Sequence, residues 1–189
     1  MIGRDASLFA RLFRADRAAE AAAVAAYGAI VAQARSPALY AGLGVPDSVT
    51  GRFEMVVLHT ILVIGRLRQA GPAGTALCQL IFDAFCRDMD QSLRELGFGD
   101  MAVPKRMKKL GESFYGRAEA YGRTLTDRKG LAAAIQRNVF PDGATPANAG
   151  RLADYAMASA AALADVPLDR IGAGAMSFPD PAAFVEAET

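Results

Sequence analysis

The sequence predicts an all-α fold, a single-domain multi-helix bundle of about five to seven helices. Two observations carry this. No window shows sustained period-two alternation, whereas apolar residues recur at i, i+3 and i+4 spacing from end to end, with Gly- and Pro-containing breaks between the periodic stretches. The 189 residues are also 52% apolar, which supplies one sizeable core and argues against disorder for most of the chain. We expect an N-terminal amphipathic and Ala-rich helix in 1–35, a helical core in 36–165, and a poorly ordered Gly/Pro/acidic tail in 166–189.

The first helix is expected from about Ser7 to Arg35, with Asp16 a candidate break, and Ser36-Pro37 ends it. A loop with Gly42, Gly44 and Pro46 follows. Asp47 or Ser48 can cap the second helix, which runs to about Gln69 and is apolar on nearly every side between Met55 and Ile64, as a central buried helix would be. The third, about Ala73 to Leu96, buries Leu77, Ile81, Phe85 and Met89, and sets Asp83 to Arg87 and Asp90 to Arg94 as i, i+4 pairs. Gly97 is placed to end it. Asp100 can cap a fourth helix with Pro104 in its first turn and Met107, Leu110, Phe114, Ala118, Tyr121 and Leu125 along one face. A fifth spans about Asp127 to Val139 and a sixth about Ala147 to Ala164.

Composition excludes several chemistries. One His and two Cys cannot assemble the common zinc sites, so neither a metal nor another cofactor is expected. Cys78 and Cys86 lie eight residues apart on one helix, roughly 12 Å and beyond disulfide reach. The strongest apolar run, Phe53 to Gly65, contains Glu54 and His59 and falls short of the roughly 20 residues that cross a bilayer. Arg4, Arg11, Arg14 and Arg17 break up any secretory signal at the N-terminus. The expected location is cytoplasmic. Glu-x-x-His pairs, G-x-S-x-G, P-loop and G-x-G-x-x-G patterns are all missing, and no small-molecule substrate is expected.

The net charge of +1 conceals patches. Residues 101–137 hold nine basic groups against three acids, a net of +6, while residues 83–100 hold two against five, a net of −3. Eight Arg against five acids give +3 in 1–82, and two Arg against seven acids give −5 from Pro141 onward. Lys105, Arg106, Lys108 and Lys109 fall in the first turns of a helix, where a cation loses about 0.3–1 kcal/mol to the macrodipole. Either Glu95 and Asp100 neutralise this cluster, or it is a docking surface for an anionic partner. The candidate partner-binding set is Lys105, Arg106, Lys108, Lys109, Arg117 and Arg123.

Other polar positions read as structural. His59, alone inside the buried second helix, is expected to be a hydrogen-bonded core residue. Asp88 lies near the apolar face of the third helix and needs a partner, for which Arg66, Arg68 or His59 is available. His59, Arg66, Asp88 and Asp100 form this structural polar set. The Leu8, Phe9, Leu12 and Phe13 strip could lie on a membrane surface or cap the protein's own core. Met55, Met89, Met101 and Met107 are expected mainly as core filling.

The runs LHTILVIGRLR (58–68) and LIFDAFCRDMDQSLRELGFGDMAVPKRMKKLGESFYGRAEAY (80–121) closely resemble the ubiquinol-cytochrome c chaperone family, assembly factors of ubiquinol-cytochrome c reductase. The likeness covers roughly residues 30–165. It is densest over Asp88, Met89, Asp90, Leu93, Arg94, Gly97, Gly99, Asp100, Val103, Pro104, Lys105, Met107, Lys108 and Tyr115-Gly116-Arg117. The resemblance implies a helical, non-catalytic respiratory-chain chaperone that binds newly made cytochrome b at the membrane. It carries no catalytic residue over to this chain.

The absence of a long N-terminal extension favours a bacterial cytoplasmic protein, peripheral on the inner face of the membrane, and leaves contacts to a ribosome or a small partner protein open. The basic segment and the family pattern coincide at residues 100–117. Docking of cytochrome b or the adjacent anionic membrane surface is therefore expected there, with neighbouring apolar residues of the second and third helices. The rivals are an RNA- or ribosome-binding helical module using the same patch, with no DNA expected, and an enzyme using His59 and Asp88.

Overall fold

The computed structural model describes the backbone of residues 3–141, 143 and 146–185, and the side chains of these from residue 16 onward except 146. The described residues form eight α-helices and two 3-10 turns: α1 (Gly3–Ala34), α2 (Pro37–Ala41), α3 (Val49–Leu67), a 3-10 turn at Arg68–Ala70, α4 (Gly71–Glu95), α5 (Val103–Thr124), α6 (Arg128–Val139), α7 (Pro146–Ala164), α8 (Leu168–Gly172) and a 3-10 turn at Pro181–Phe184. Six helices are long and two have five residues, and no strand occurs among the described residues. The all-α reading holds.

Helix α3 is the axis. Every residue from Glu54 to Ile64 is buried, and α1, α4, α5, α6 and α7 all pack on it. Ser48 starts the helix, its Oγ accepting from Gly51 N at 3.1 Å, as one of the two expected caps. Gly51 is needed for a close approach, because a Cβ there would stand 1.9 Å from the Pro46 carbonyl. Phe82 and Phe85 of α4 meet Phe114 of α5 at centroid distances of 5.1 and 5.2 Å, which fastens these two helices together. Gly97, at φ +86°, ends the α4 segment as expected.

Several expectations change. No break occurs at Asp16, and α1 runs through it. The loop after Ser36 contains α2, with Pro37 in its first turn. Asp83 accepts from Gln79 at 2.9 Å instead of pairing with Arg87, whereas Arg94 and Asp90 do pair at 2.7 Å. Asp100 caps nothing, since the N-cap position of α5 is Ala102, with no side-chain cap, and the Asp100 carboxylate lies 2.5 Å from Arg94. The expected disordered tail at 166–189 is also not what the structure shows for 166–185. Ile171 is fully buried there, Phe178 stands edge-on to His59 at 5.3 Å and Phe184 edge-on to Tyr155 at 5.7 Å. Gly and Pro lower helix content in this stretch without lowering its apolar content, and the apolar side chains close the core over α3 and α7. The side chains of Leu8, Phe9, Leu12 and Phe13 lie outside the described residues.

His59 is fully buried, as expected of a core histidine. Its Nδ1 lies 2.7 Å from the Met55 carbonyl, which can only accept, so Nδ1 carries the proton. Nε2, 2.7 Å from the Tyr155 hydroxyl, accepts from it, and Tyr155 accepts from Gln33 Nε2 at 2.9 Å. Burial pushes the imidazole pKa down from 6.5 to about 4, against a smaller opposing pull from the Met55 carbonyl.

Two outcomes follow from these contacts. A depressed histidine pKa means that the unfolded chain takes up the proton first, so stability is present above pH 6.5 and lost as pH falls toward 4. Between pH 7 and pH 4.5, denaturant titration should show the wild type losing about 2–3 kcal/mol more than His59→Phe; equal losses would contradict the buried neutral imidazole. Ile171→Ala should cost about 2–5 kcal/mol, and a variant as stable as the wild type would return residues 166–185 to a loose tail.

Candidate functional site

Three helices share an open groove. Val49, Phe53 and Val56 of α3 follow one stripe at i, i+4 and i+7, and Met89 and Leu93 of α4, with Leu96 at its C-cap, repeat the same spacing opposite it. Helix α5 closes the third side with Arg106, Lys109, Leu110 and Ser113. The groove measures about 600 Å³. Its floor is apolar and partly open, with Val49 68% and Leu96 56% exposed, and Met101 is 94% exposed on the turn that follows α4. Single exposed apolar residues are ordinary, but two stripes facing one another across a groove mark a contact surface.

Its rim is cationic. Arg35 and Arg52 join Arg106 and Lys109 around the groove, against the single carboxylate of Asp88. Arg52 is paired with Asp47 at 2.7 Å, and Asp88 accepts from the Tyr27 hydroxyl at 2.7 Å. Burial, with the Asp88 hydrogen bond adding to it, pushes the Tyr27 phenol well above its ordinary value, so the hydroxyl stays a donor. Arg106 lies over the Phe98 ring, 3.7 Å from its centroid, which fixes the guanidinium at the groove mouth. Among the described residues, Lys105, Lys108 and Lys109 form no ion pair. The acids expected to neutralise them are engaged elsewhere, Asp100 by Arg94 and Glu95 by Gln91 at 2.8 Å.

The six expected docking cations are therefore divided. Arg106 and Lys109 line the groove, Lys105 and Lys108 are exposed beside it, and Arg123 forms an exposed i, i+4 pair with Glu119 far along α5. Arg117 is a correction. It turns inward and holds Glu54, whose side chain is 2% exposed, through two hydrogen bonds of 2.7 and 2.5 Å, while its Nη1 also bonds Ser113. Burial raises the Glu54 pKa and the Arg117 guanidinium pulls it back. Asp88 is a second correction, because its partner is Tyr27 and none of Arg66, Arg68 or His59. Arg66 donates to the Leu163 and Val166 carbonyls at 3.1 and 2.9 Å and so ties α3 to the C-terminal end of α7 and the turn after it.

Sequence reasoning missed Glu54 as a functional core group, although a carboxylate inside an apolar run is the signal for one. It also missed Arg35 and Arg52, which reach the groove from other elements and carry no local pattern. Of the four methionines only Met55 is core, while Met89 lines the groove. His59 and Asp88 do not meet in one cavity: Asp88 faces the groove, and both ring nitrogens of His59 are occupied in the core. Among the described residues no group of three His, Cys, Asp or Glu could hold a metal, and no helix is long and apolar enough to cross a membrane.

A family model described as ubiquinol-cytochrome C chaperone matches residues 41–178. The chain is 30% identical over 96 residues to ubiquinol-cytochrome c reductase complex assembly factor 1 of Mus musculus, covering 50% of this chain and 32% of that protein. It is 28% identical over 96 residues to the Xenopus laevis protein of that name, covering 50% and 48%. The match thus spans between about a third and about half of these relatives. The crystal structure of the Cbp3 homolog from Brucella abortus superimposes with a TM-score of 0.83 at 41% identity, covering 95% of this chain and 99% of that one.

The inward and outward cations separate in a stability measurement. Arg117→Met strands a buried carboxylate and should cost about 3–5 kcal/mol at neutral pH, with the loss shrinking as acid protonates Glu54. Arg123→Ala, which removes an exposed pair, should stay within about 0.5 kcal/mol. Equal losses from the two substitutions, read by urea denaturation, would refute this division.

Proposed function

The chain belongs to the ubiquinol-cytochrome c chaperone family, and from that premise we propose that it is a non-catalytic assembly factor that holds newly made cytochrome b in the groove between α3, α4 and α5. Ubiquinol-cytochrome c reductase is the complex that its relatives' names specify. A newly made membrane subunit presents apolar segments before it is packed into its complex. Paired apolar stripes offer such a segment temporary burial, at about 25 cal/mol per Å² removed from water.

The carrying observation is the pairing of that open apolar floor with Arg106 and Lys109, which form no ion pair among the described residues. These cations suit acidic groups flanking the client segment, or the anionic headgroups of the membrane from which it emerges, and we place the protein peripherally on the inner face of the cytoplasmic membrane. They steer and orient the encounter, while the floor supplies most of the affinity. An RNA- or ribosome-binding role fits less well, because nucleic acid calls for a basic track and only two of the six cations line the groove.

In a detergent pull-down, Arg106→Glu/Lys109→Glu should lower retention of cytochrome b by at least about tenfold with the melting temperature nearly unchanged, while Lys105→Glu/Lys108→Glu should weaken it far less. Unaltered retention by the groove variant would sink docking at this surface. A steep linear fall of log affinity for RNA with log salt, abolished by both variants alike, would instead support the nucleic-acid reading.

A further inference from the structure

A second concavity lies toward the other end of α3. The last turns of α3, the second half of α5 and the C-terminal end of α7 border a cleft of about 320 Å³. Leu62, Ile64, Phe114 and Leu125 supply its apolar walls, with the small side chains of Ala118 and Ala160 between them. This volume is at the lower end of small-molecule sites, about 300–1,000 Å³. It holds about ten water- or methylene-sized units at roughly 30 Å³ each, one unbranched chain and not two.

Glycines keep the cleft open on both sides. Gly65 of α3 and Gly122 of α5 line it, and a Cβ on either would meet nothing within 4 Å. Neither has a positive φ. Neither turn geometry nor a close backbone approach therefore calls for glycine, and each costs a helix interior about 1 kcal/mol relative to alanine. Both glycines are exposed and line the cleft, so a larger side chain at either extends into the open space rather than into packed neighbours.

The mouth is basic. Arg68, on the 3-10 turn after α3, is exposed and forms no ion pair among the described residues, and Arg66 beside it is anchored on the end of α7. An apolar slot one chain wide that opens beside an unpaired guanidinium is complementary to an apolar tail with an anionic head.

We infer that this cleft binds a single-chain carboxylate amphiphile, an unbranched medium-chain fatty acid, with its tail between Gly65 and Gly122 and its carboxylate on Arg68. The site shares no lining residue with the groove and does not depend on what the groove holds.

Dodecanoate, read by its displacement of a fluorescent fatty acid from the full-length chain, tests the assignment against dodecanol. The wild type should bind dodecanoate saturably and at least about tenfold more tightly than dodecanol. Gly65→Leu/Gly122→Leu should abolish binding without lowering the melting temperature, and Arg68→Glu should remove the preference for the carboxylate. Should the filled variant melt early, the Arg68→Glu comparison decides alone. No saturable binding by the wild type, undiminished binding by a folded filled variant, equal affinity for acid and alcohol, or a preference that survives Arg68→Glu would each overturn the inference. Loss of cytochrome b retention in the groove variant, with dodecanoate binding intact, separates the two sites.

Discussion

A helical stretch buried on all sides must find partners for every polar group it carries, and residues 54–64 of α3 carry three. Thr60 solves its problem internally, donating to the Val56 carbonyl one turn back at 2.7 Å. His59 and Glu54 cannot, and each takes a partner from another helix. Tyr155 of α7 serves His59, and Arg117 of α5 serves Glu54. Apolar packing alone would let α5 and α7 slide along α3 at modest cost. Unsatisfied buried groups do not allow this, because each costs about 1–3 kcal/mol if neutral and more if charged. Arg66 adds a third tie by holding the Leu163 carbonyl in the last turn of α7 and the Val166 carbonyl just past it, so the polar bonds set where the outer helices sit along the axis.

The groove is a consequence of that placement. Helix α5 is fastened at Arg117 and Phe114, and its first turns extend past this anchor beside α4. The acids of the preceding segment do not reach them, because Arg94 binds both Asp90 and Asp100 and thereby neutralises the α4–α5 connection from the α4 side. One arginine taking two carboxylates leaves Lys105, Arg106, Lys108 and Lys109, at the start of the next helix, without an ion pair among the described residues. The patchwork beneath the net charge of +1 thus becomes a spatial separation, with acidic groups satisfied at the turn, while at the groove Arg106 and Lys109 form no ion pair among the described residues and Arg52 is held by Asp47.

Much of the fold was legible because its signals are local. Periodicity located the six long helices, Ser48 and Gly97 marked ends, and an apolar stretch too uniform for a surface helix identified the axis. Pairings across the chain were not legible. Glu54 and Arg117 are 63 residues apart and Tyr27 and Asp88 are 61 apart, and nothing in spacing distinguishes either pair from other combinations of the same residue types. The reading of Arg117 as a docking residue failed for that reason, since composition reports a charge and not its direction. The C-terminal stretch misled differently. Its Gly and Pro content is hostile to long helices, yet Ile171 is buried on the five-residue α8, Met176 is buried beyond it, and Phe178 packs partly buried against the core.

The two concavities differ in kind because α5 meets different neighbours along its length. From Arg106 to Ser113 it faces α3 and α4 across an open floor built of Val, Phe, Met and Leu, suited to a polypeptide segment whose chemistry need not be read atom by atom. From Phe114 to Leu125 it faces α3 and α7 across a narrower space lined by Gly and Ala, which one chain can fill. The boundary between them is the stretch where Ser113, Arg117 and Glu54 are hydrogen-bonded and Phe114 is packed among aromatic rings. That junction is the most constrained part of α5. A ligand in the cleft would stabilise the folded chain by mass action, but with the helix fixed there the stabilisation has no lever by which to reshape the groove.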